Sequence, residues 1–280
     1  GVGTPTMLED RRQRRDQPQA ISAQGPGRLQ TRPYTNVAPT PGGETATHQP
    51  PERARVAIIG AGFSGIGMAI ALKRAGIEDF VVLDRAEDTG GTWRDNTYPG
   101  CACDVQSDLY SFSFAPNPEW RRVFSPQPHI RAYLRRCVRQ FDIAPHIRAG
   151  HEVREADWDE EARCWRISTG RGRFVADALV LGAGPLSEPA IPALPGLDRF
   201  AGTLFHSARW DHAHDLTGER VAVIGTGASA IQFVPQIAPR VGRLTLFMRT
   251  PPWVVPRGDR PVPDARRAFY RAFPLAQRAT

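Results

Sequence analysis

Lysine is almost missing from this 280-residue chain: Lys73 is the only one, and arginine supplies the rest of its 36 basic residues. Cysteine is scarce as well. Four thiols in a chain of this length cannot form a disulfide framework, and Cys101 and Cys103 make a CxC with no second pair at zinc-site spacing. The sequence therefore reads as a reduced, cytoplasmic protein without a metal site. Long apolar runs are lacking too. One long uncharged stretch, Val56 to Leu72, has 17 residues and four glycines, and a bilayer span needs about 20 apolar residues. It reads as a buried strand, turn and helix, and the polar start of the chain does not read as a signal peptide. The net charge of +7 suits nucleic acid or an anionic surface, but no recognition motif accompanies it. Neither partner is expected.

With 41% hydrophobic residues, the chain has enough apolar side chain for a real core. That material is unevenly spread. Residues 1–55 contain 14 prolines plus glycines and the cluster Arg11, Arg12, Arg14 and Arg15, so residues 1–52 are expected to be a disordered extension. From Arg55 the character changes. Val56–Ile59 reads as a buried strand, Ser64–Ala75 as a helix stopped by Gly76, and Phe80–Leu83 as a second strand. An aromatic-rich loop over 90–120 precedes an amphipathic helix over Pro128–Phe141. Hairpin signals follow at 151–158, 164–169 and 173–181. After a Pro/Gly-rich connection the opening pattern recurs: strand Val221–Ile224, glycine turn, helix from about Ser229, strand Leu244–Phe247. The fold class expected is α/β with two Rossmann-like dinucleotide-binding units of three-layer type, truncated at the C-terminus. Their limits read as 53–190 and 220–280, with a linker over 191–219.

The first turn, Gly60-Ala-Gly62-Phe63-Ser64-Gly65, is a GxGxxG between a strand and a helix. Gly60 allows the tight turn, Gly62 lets backbone approach a pyrophosphate, and Gly65 lets helix and strand pack closely. Asp84 follows Gly65 by 19 residues, where an acid can bind a ribose 2′-hydroxyl. The second turn, Gly225-Thr226-Gly227-Ala228-Ser229-Ala230, has Arg249 and Thr250 at the matching distance. An acid there would repel a 2′-phosphate, whereas an arginine attracts it. The first turn thus suits FAD and the second NADPH, and two such cofactors in one chain imply hydride transfer between them. Residues alone stop at an NADPH-dependent flavoprotein.

Two longer motifs go further. Gly90-Gly91-Thr92-Trp93-Arg-Asp-Asn-Thr-Tyr98-Pro99-Gly100-Cys-Ala-Cys-Asp104 fits [A/G]GxWxxxx[F/Y]P[G/M]xxxD. Phe200-Ala-Gly202-Thr-Leu-Phe-His206-Ser-Ala-Arg-Trp210-Asp211 fits FxGxxxHxxxW[P/D]. In these and in 110–120 and 247–253 the chain resembles the Baeyer–Villiger monooxygenases, in particular the 4-hydroxyacetophenone monooxygenase branch, from about residue 53 onward. The resemblance implies insertion of one oxygen atom of O2 beside a ketone carbonyl. It implies FAD contacts at Gly91, Thr92, Trp93, Tyr110 and the Val153 backbone. Asp104 would lie by the flavin as the carboxylate that holds a catalytic arginine, and His206 would be part of an interdomain link rather than a general base. Flavin monooxygenases acting on nitrogen or sulfur share both glycine turns but usually lack the Trp210-Asp211 pair. A disulfide reductase would need a paired redox-cysteine motif, which Cys101 and Cys103 do not make.

Two features depart from the resemblance. The family commonly has arginine where Ala102 stands, and its members continue well past Thr280. The catalytic arginine is expected in that continuation, and this chain alone is expected to be inactive.

Overall fold

The computed structural model describes residues 29–30 and 50–278. Most of the extension expected to be disordered lies outside the described residues. Apart from residues 50–52, its described piece is β1 (Leu29–Gln30), which pairs antiparallel with Ala156 and Glu155.

A seven-stranded sheet carries the first unit, in the order β1-β5-β6-β7-β2-β3-β4. Strand β2 (Glu52–Ile59) runs parallel to β3 (Phe80–Leu83) on one side and to β7 (Gly172–Leu181) on the other. The short β4 (Ile147–Arg148) extends the parallel part, while β5 (Val153–Asp159) and β6 (Cys164–Thr169) join β7 as an antiparallel meander. Helix α1 (Phe63–Arg74) is the β2–β3 crossover.

Strand alternation sorts the core into two faces, since successive side chains point to opposite sides. Ile58, Phe80 and Val82 face α1 and α3 (Gln127–Gln140), meeting Ile66, Ile70, Ile130 and Leu134. Ala57, Val81 and Leu83 face the other way and pack on Ala156, Ile167, Phe174 and Ala176 of the meander. Helices, parallel sheet and meander make the three layers. Helix α3 is amphipathic: Ile130, Tyr133, Leu134, Cys137 and Val138 are buried at helical spacing. Its Tyr133 pins the aromatic loop, donating to Ala115 O at 2.8 Å and accepting from Phe112 N at 2.8 Å.

The second unit has its own sheet, β8 (Arg220–Ile224) parallel to β9 (Arg243–Phe247), with α4 (Ala228–Ile237) as crossover. One turn of helix, α2 (Thr92–Asp95), lies inside the segment read as loop. Helices α5 (Asp264–Ala272) and α6 (Pro274–Arg278) follow in a stretch with no assignment from sequence. Among the described residues no helix is long and apolar enough to cross a membrane.

Candidate functional site: two glycine turns joined by a loop

The first turn is tight where it meets the protein and open where a ligand would lie. Gly60 has φ +101°, and a Cβ there would come within 2.6 Å of Gly182 O. A Cβ on Gly65 would sit 1.7 Å from Gly60 O. These two positions have no room for a side chain. Gly62 differs: it is the extended N-cap of α1, and a Cβ would meet only Gly91, at 3.5 Å. No side chain caps α1 and its first turn holds no acid. The leading N–H groups therefore face the gap between Gly62 and Gly91, a cradle that suits a phosphate.

Asp84 is buried at the end of β3. Its Oδ2 accepts from Ala61 N at 2.7 Å, and its Oδ1 accepts from Ala86 N at 2.9 Å and from Arg94 Nη1 at 3.0 Å. One acceptor direction on Oδ2 is left for a further donor. Arg94 was not read from the sequence. It lies inside the Gly90–Asp104 motif at a position the pattern leaves free, and it also holds Asp95 and Asp88 O. Burial works against its charge, but the two carboxylates raise its pKa further. The chain past β4 borders the same acid, with His151 N donating to Asp84 O at 2.8 Å, two residues before Val153.

The loop after Asp84 closes over the turn. Gly90 N donates to Ala61 O at 2.9 Å, and Gly91, at φ +52°, starts α2 with Thr92 and Trp93. Trp93 Nε1 donates to Tyr110 OH at 2.9 Å, and the Tyr110 ring lies edge-on to Phe63, 5.1 Å away. Burial raises the Tyr110 pKa, so its hydroxyl stays protonated. Ser64, in the first turn of α1, is exposed.

The second turn repeats this geometry. Gly225 has φ +106° and donates to Phe247 O at 3.0 Å, as Gly60 donates to Leu83 O at 2.7 Å. Helix α4 starts at Ala228 after the Gly227 N-cap, and Thr226, Ala228, Ser229 and Ala230 complete the turn, again with neither side-chain cap nor acid. The equal sequence spacing does not give equal positions in space, which corrects the expectation. Strand pairing gives Met248, not Arg249, the position in the second unit that Asp84 has in the first, because the second crossover is one residue shorter. Arg249 comes one residue beyond the strand-end position, with Thr250 after it. Arg249 is exposed, and among the described residues it has no ion pair.

The residues of the second long motif lie before β8. Phe200 is exposed, and its ring fills the space a side chain at Gly202 would need. His206 caps a one-turn helix, its Nδ1 accepting from Ala208 N at 3.0 Å, and burial and the Arg209 charge lower its pKa. Its ring nitrogen is the local acceptor of that turn. Trp210 packs on Phe233 of α4 at 5.2 Å, and Phe233 meets Tyr98 at 6.1 Å. Asp211, His212 and His214 go to separate partners: Ala213 N, Thr97 Oγ1 and Glu219.

Asp104 is exposed, and Gln232 Nε2 of α4 donates to its Oδ1 at 2.7 Å. A cavity of about 350 Å³ opens beside this loop, bordered by Tyr98, Ala102, Arg122, Gln127, Arg257 and Asp259. Its position, off both glycine turns, separates it from the nucleotide cradles. The four cysteines are buried and unpaired, and burial pushes the Cys101 thiol up to about 11.

One α/β chain thus carries two strand–glycine turn–helix units, each with an uncapped helix N-terminus. The chain belongs to the family described as pyridine nucleotide-disulphide oxidoreductase, whose family model matches residues 57–262. It is similar to a Baeyer–Villiger monooxygenase of Streptomyces coelicolor, 61% identical over 80% of this chain and 43% of the relative. A Baeyer–Villiger monooxygenase of Pseudomonas aeruginosa is 52% identical over 80% of this chain and 43% of that relative. The chain thus spans under half the length of the curated relatives it matches. Cyclohexanone monooxygenase from Rhodococcus sp. Phi1 bound to NADP+ superposes with a TM-score of 0.74 at 38% identity, over 81% of this chain and 44% of that one. Cyclohexanone monooxygenase has also been solved holding cyclohexanone and ε-caprolactone.

Proposed function

We propose that this chain is the nucleotide-binding part of a Baeyer–Villiger-type monooxygenase. Such an enzyme takes a ketone, O2, NADPH and a proton to an ester or lactone, water and NADP+. The observation that carries this reading is the duplicated strand–glycine turn–helix with unlike second strands, a buried acid at the end of one and an exposed arginine one residue past the end of the other. Bound FAD would supply electron transfer and oxygen activation. The residues present fit it: the Gly62–Gly91 gap is a cradle that a side chain would fill, and α1 offers uncapped N–H groups to a pyrophosphate.

In this reading Gly60, Gly62, Phe63, Ser64, Gly65 and Asp84 hold the first dinucleotide. Gly91, Thr92, Trp93, Tyr110 and the Val153 backbone border it. Gly225, Thr226, Gly227, Ala228, Ser229 and Ala230 hold NADPH, with Arg249 and Thr250 at its 2′-phosphate. Asp104 orients the reacting region from a loop that touches both units, and Phe200, Gly202, His206, Trp210 and Asp211 form the link between them. The units are proposed to divide at 53–190 and 220–280. Unpaired buried thiols suit a reducing, cytoplasmic setting. The cyclohexanone and caprolactone held by the structural relative make a cyclic ketone the first substrate to try.

The test is to supply the intact protein with FAD, NADPH and a ketone panel under ¹⁸O2. An ester or lactone carrying one labelled atom supports the reading. Sulfoxide or hydroxylamine products alone, across sulfides and amines as well as ketones, would assign the protein to the nitrogen- and sulfur-oxygenating class.

A further inference from the structure

We propose that Gln232 is a positioning residue that couples occupation of the second glycine turn to Asp104; this rests on the reading above. Gln232 lies on α4, the helix that starts in that turn. Its Oε1 accepts from Ala102 N at 3.0 Å and from the Tyr98 hydroxyl at 3.1 Å. Its Nε2 donates to Ala102 O at 2.9 Å and to Asp104 Oδ1 at 2.7 Å. All four bonding directions of the carboxamide are spent on one loop. The pattern also fixes which way the amide points. Reversed, it would set its NH2 against Ala102 N–H and its oxygen against the Asp104 carboxylate.

Among the described residues Gln232 is the only side chain hydrogen-bonded to the Asp104 carboxylate. An exposed carboxylate without that bond would be free to change rotamer. The backbone of the loop is equally committed to α4. Gly100, at φ +77°, passes so close that a Cβ would lie 2.9 Å from Gln232 O and 2.9 Å from Gln236 Cγ. Below it, Tyr98 and Cys101 pack with Ala230 and Phe233. Residues 98–104 therefore lie between α4 and the segment leading into α3, where Cys103 N donates to Ser125 O and Gln127 N to Cys101 O, both at 2.9 Å, and the start of the same loop is fixed to the first turn through Gly90 N and Ala61 O. A dinucleotide that seats on the N-terminus of α4 moves or stiffens the helix, and the carboxamide passes this to the Asp104 carboxylate. Nothing in the GxGxxA pattern marks the residue, since it lies two positions past the motif.

The experiment uses intact, flavin-loaded protein and two variants, Gln232→Leu and Gln232→Glu. NADP+ affinity is measured by calorimetry, and the flavin absorbance difference on adding NADP+ is recorded separately, with kcat and KM. Wild type is expected to bind NADP+ and to show the difference spectrum. Gln232→Leu should keep NADP+ affinity within a fewfold but lose most of the flavin signal, and kcat should drop by about tenfold or more, as for a lost hydrogen bond to a charged group. Gln232→Glu keeps both acceptor bonds but sets a second carboxylate against Asp104, so it should lose the signal as well. The pair Gln232→Glu with Asp104→Asn restores a donor–acceptor contact and should recover the thermal stability that Gln232→Glu loses. The proposal is overturned if both single variants keep the wild-type difference spectrum and kcat, or if the pair recovers nothing. Wild type that binds no NADP+ would instead sink the proposed function itself, before any variant is compared.

Discussion

Replacing Gly65 by alanine tests the close packing on which the first cradle depends. The added methyl would stand 1.7 Å from Gly60 O and 2.9 Å from Gly60 C, whereas carbon and oxygen settle at more than 3 Å. The backbone of α1 has to retreat from the turn by more than an ångström. Its inner face is the core, with Ile66, Ala69 and Ile70 fully buried, so the retreat opens the packing along the helix. Overpacking that side chains can absorb costs about 1–3 kcal/mol. Here the obstacle is backbone, and about 3–5 kcal/mol is expected, a large part of an ordinary domain's stability. The second turn is the internal control. Ala230 already occupies the corresponding site, and a Cβ on Gly227 would meet nothing within 4 Å, so Gly227→Ala should change folding by less than about 0.5 kcal/mol. Urea unfolding followed by far-ultraviolet circular dichroism, with flavin content measured on each protein, decides the matter. Gly65→Ala within about 1 kcal/mol of wild type and with normal flavin would refute the reasoning.

Three further outcomes follow from the geometry. Gly62→Val should fold, because only Gly91 is near, yet should lose FAD as its side chain fills the cradle; normal flavin absorbance in the purified variant would remove Gly62 from the site. Arg94→Met strips the partner from buried Asp84 and should cost about 3 kcal/mol in thermal or urea unfolding, with weaker flavin retention; a loss below about 0.5 kcal/mol would mean that the pair is idle. Asp88, although burial opposes its charge, is held at about 2 by Arg135 and Arg131. With its pKa depressed on folding, its contribution is whole above about pH 4 and fades as pH falls toward 2. The side chain is 33% exposed, so about 1 kcal/mol or less is at stake, and Asp88→Asn should flatten acid unfolding in that window.

Both crossovers were legible because their physics is local: an aliphatic run, a glycine turn, an amphipathic or apolar helix and a second run. The meander strands were legible as hairpin signals. Their place was not, since nothing in 172–181 says that β7 pairs parallel with β2 on its far edge. The start of α2 was hidden by its two glycines, and the β1 contact by the composition around it. In the candidate site, glycines and strand-end charges could be read from spacing alone. Arg94 and Gln232 could not, because each acts through partners brought near by folding: Arg94 through Asp84, ten residues before it, and Gln232 through Ala102 and Asp104, 130 and 128 residues away. Counting residues also misjudged Arg249 by one, since a crossover can shorten without changing the distance between motifs.

The most direct test of the account is the preference of the intact protein for NADPH over NADH in wild type and in Arg249→Ala. If the exposed arginine beyond β9 reads the 2′-phosphate, its loss weakens NADPH by about 1.5–3 kcal/mol, roughly ten- to a hundredfold, and leaves NADH nearly unchanged. The NADPH/NADH ratio of kcat/KM should therefore collapse by that factor. A ratio unchanged in Arg249→Ala would contradict the claim that the strand ends sort the two cofactors.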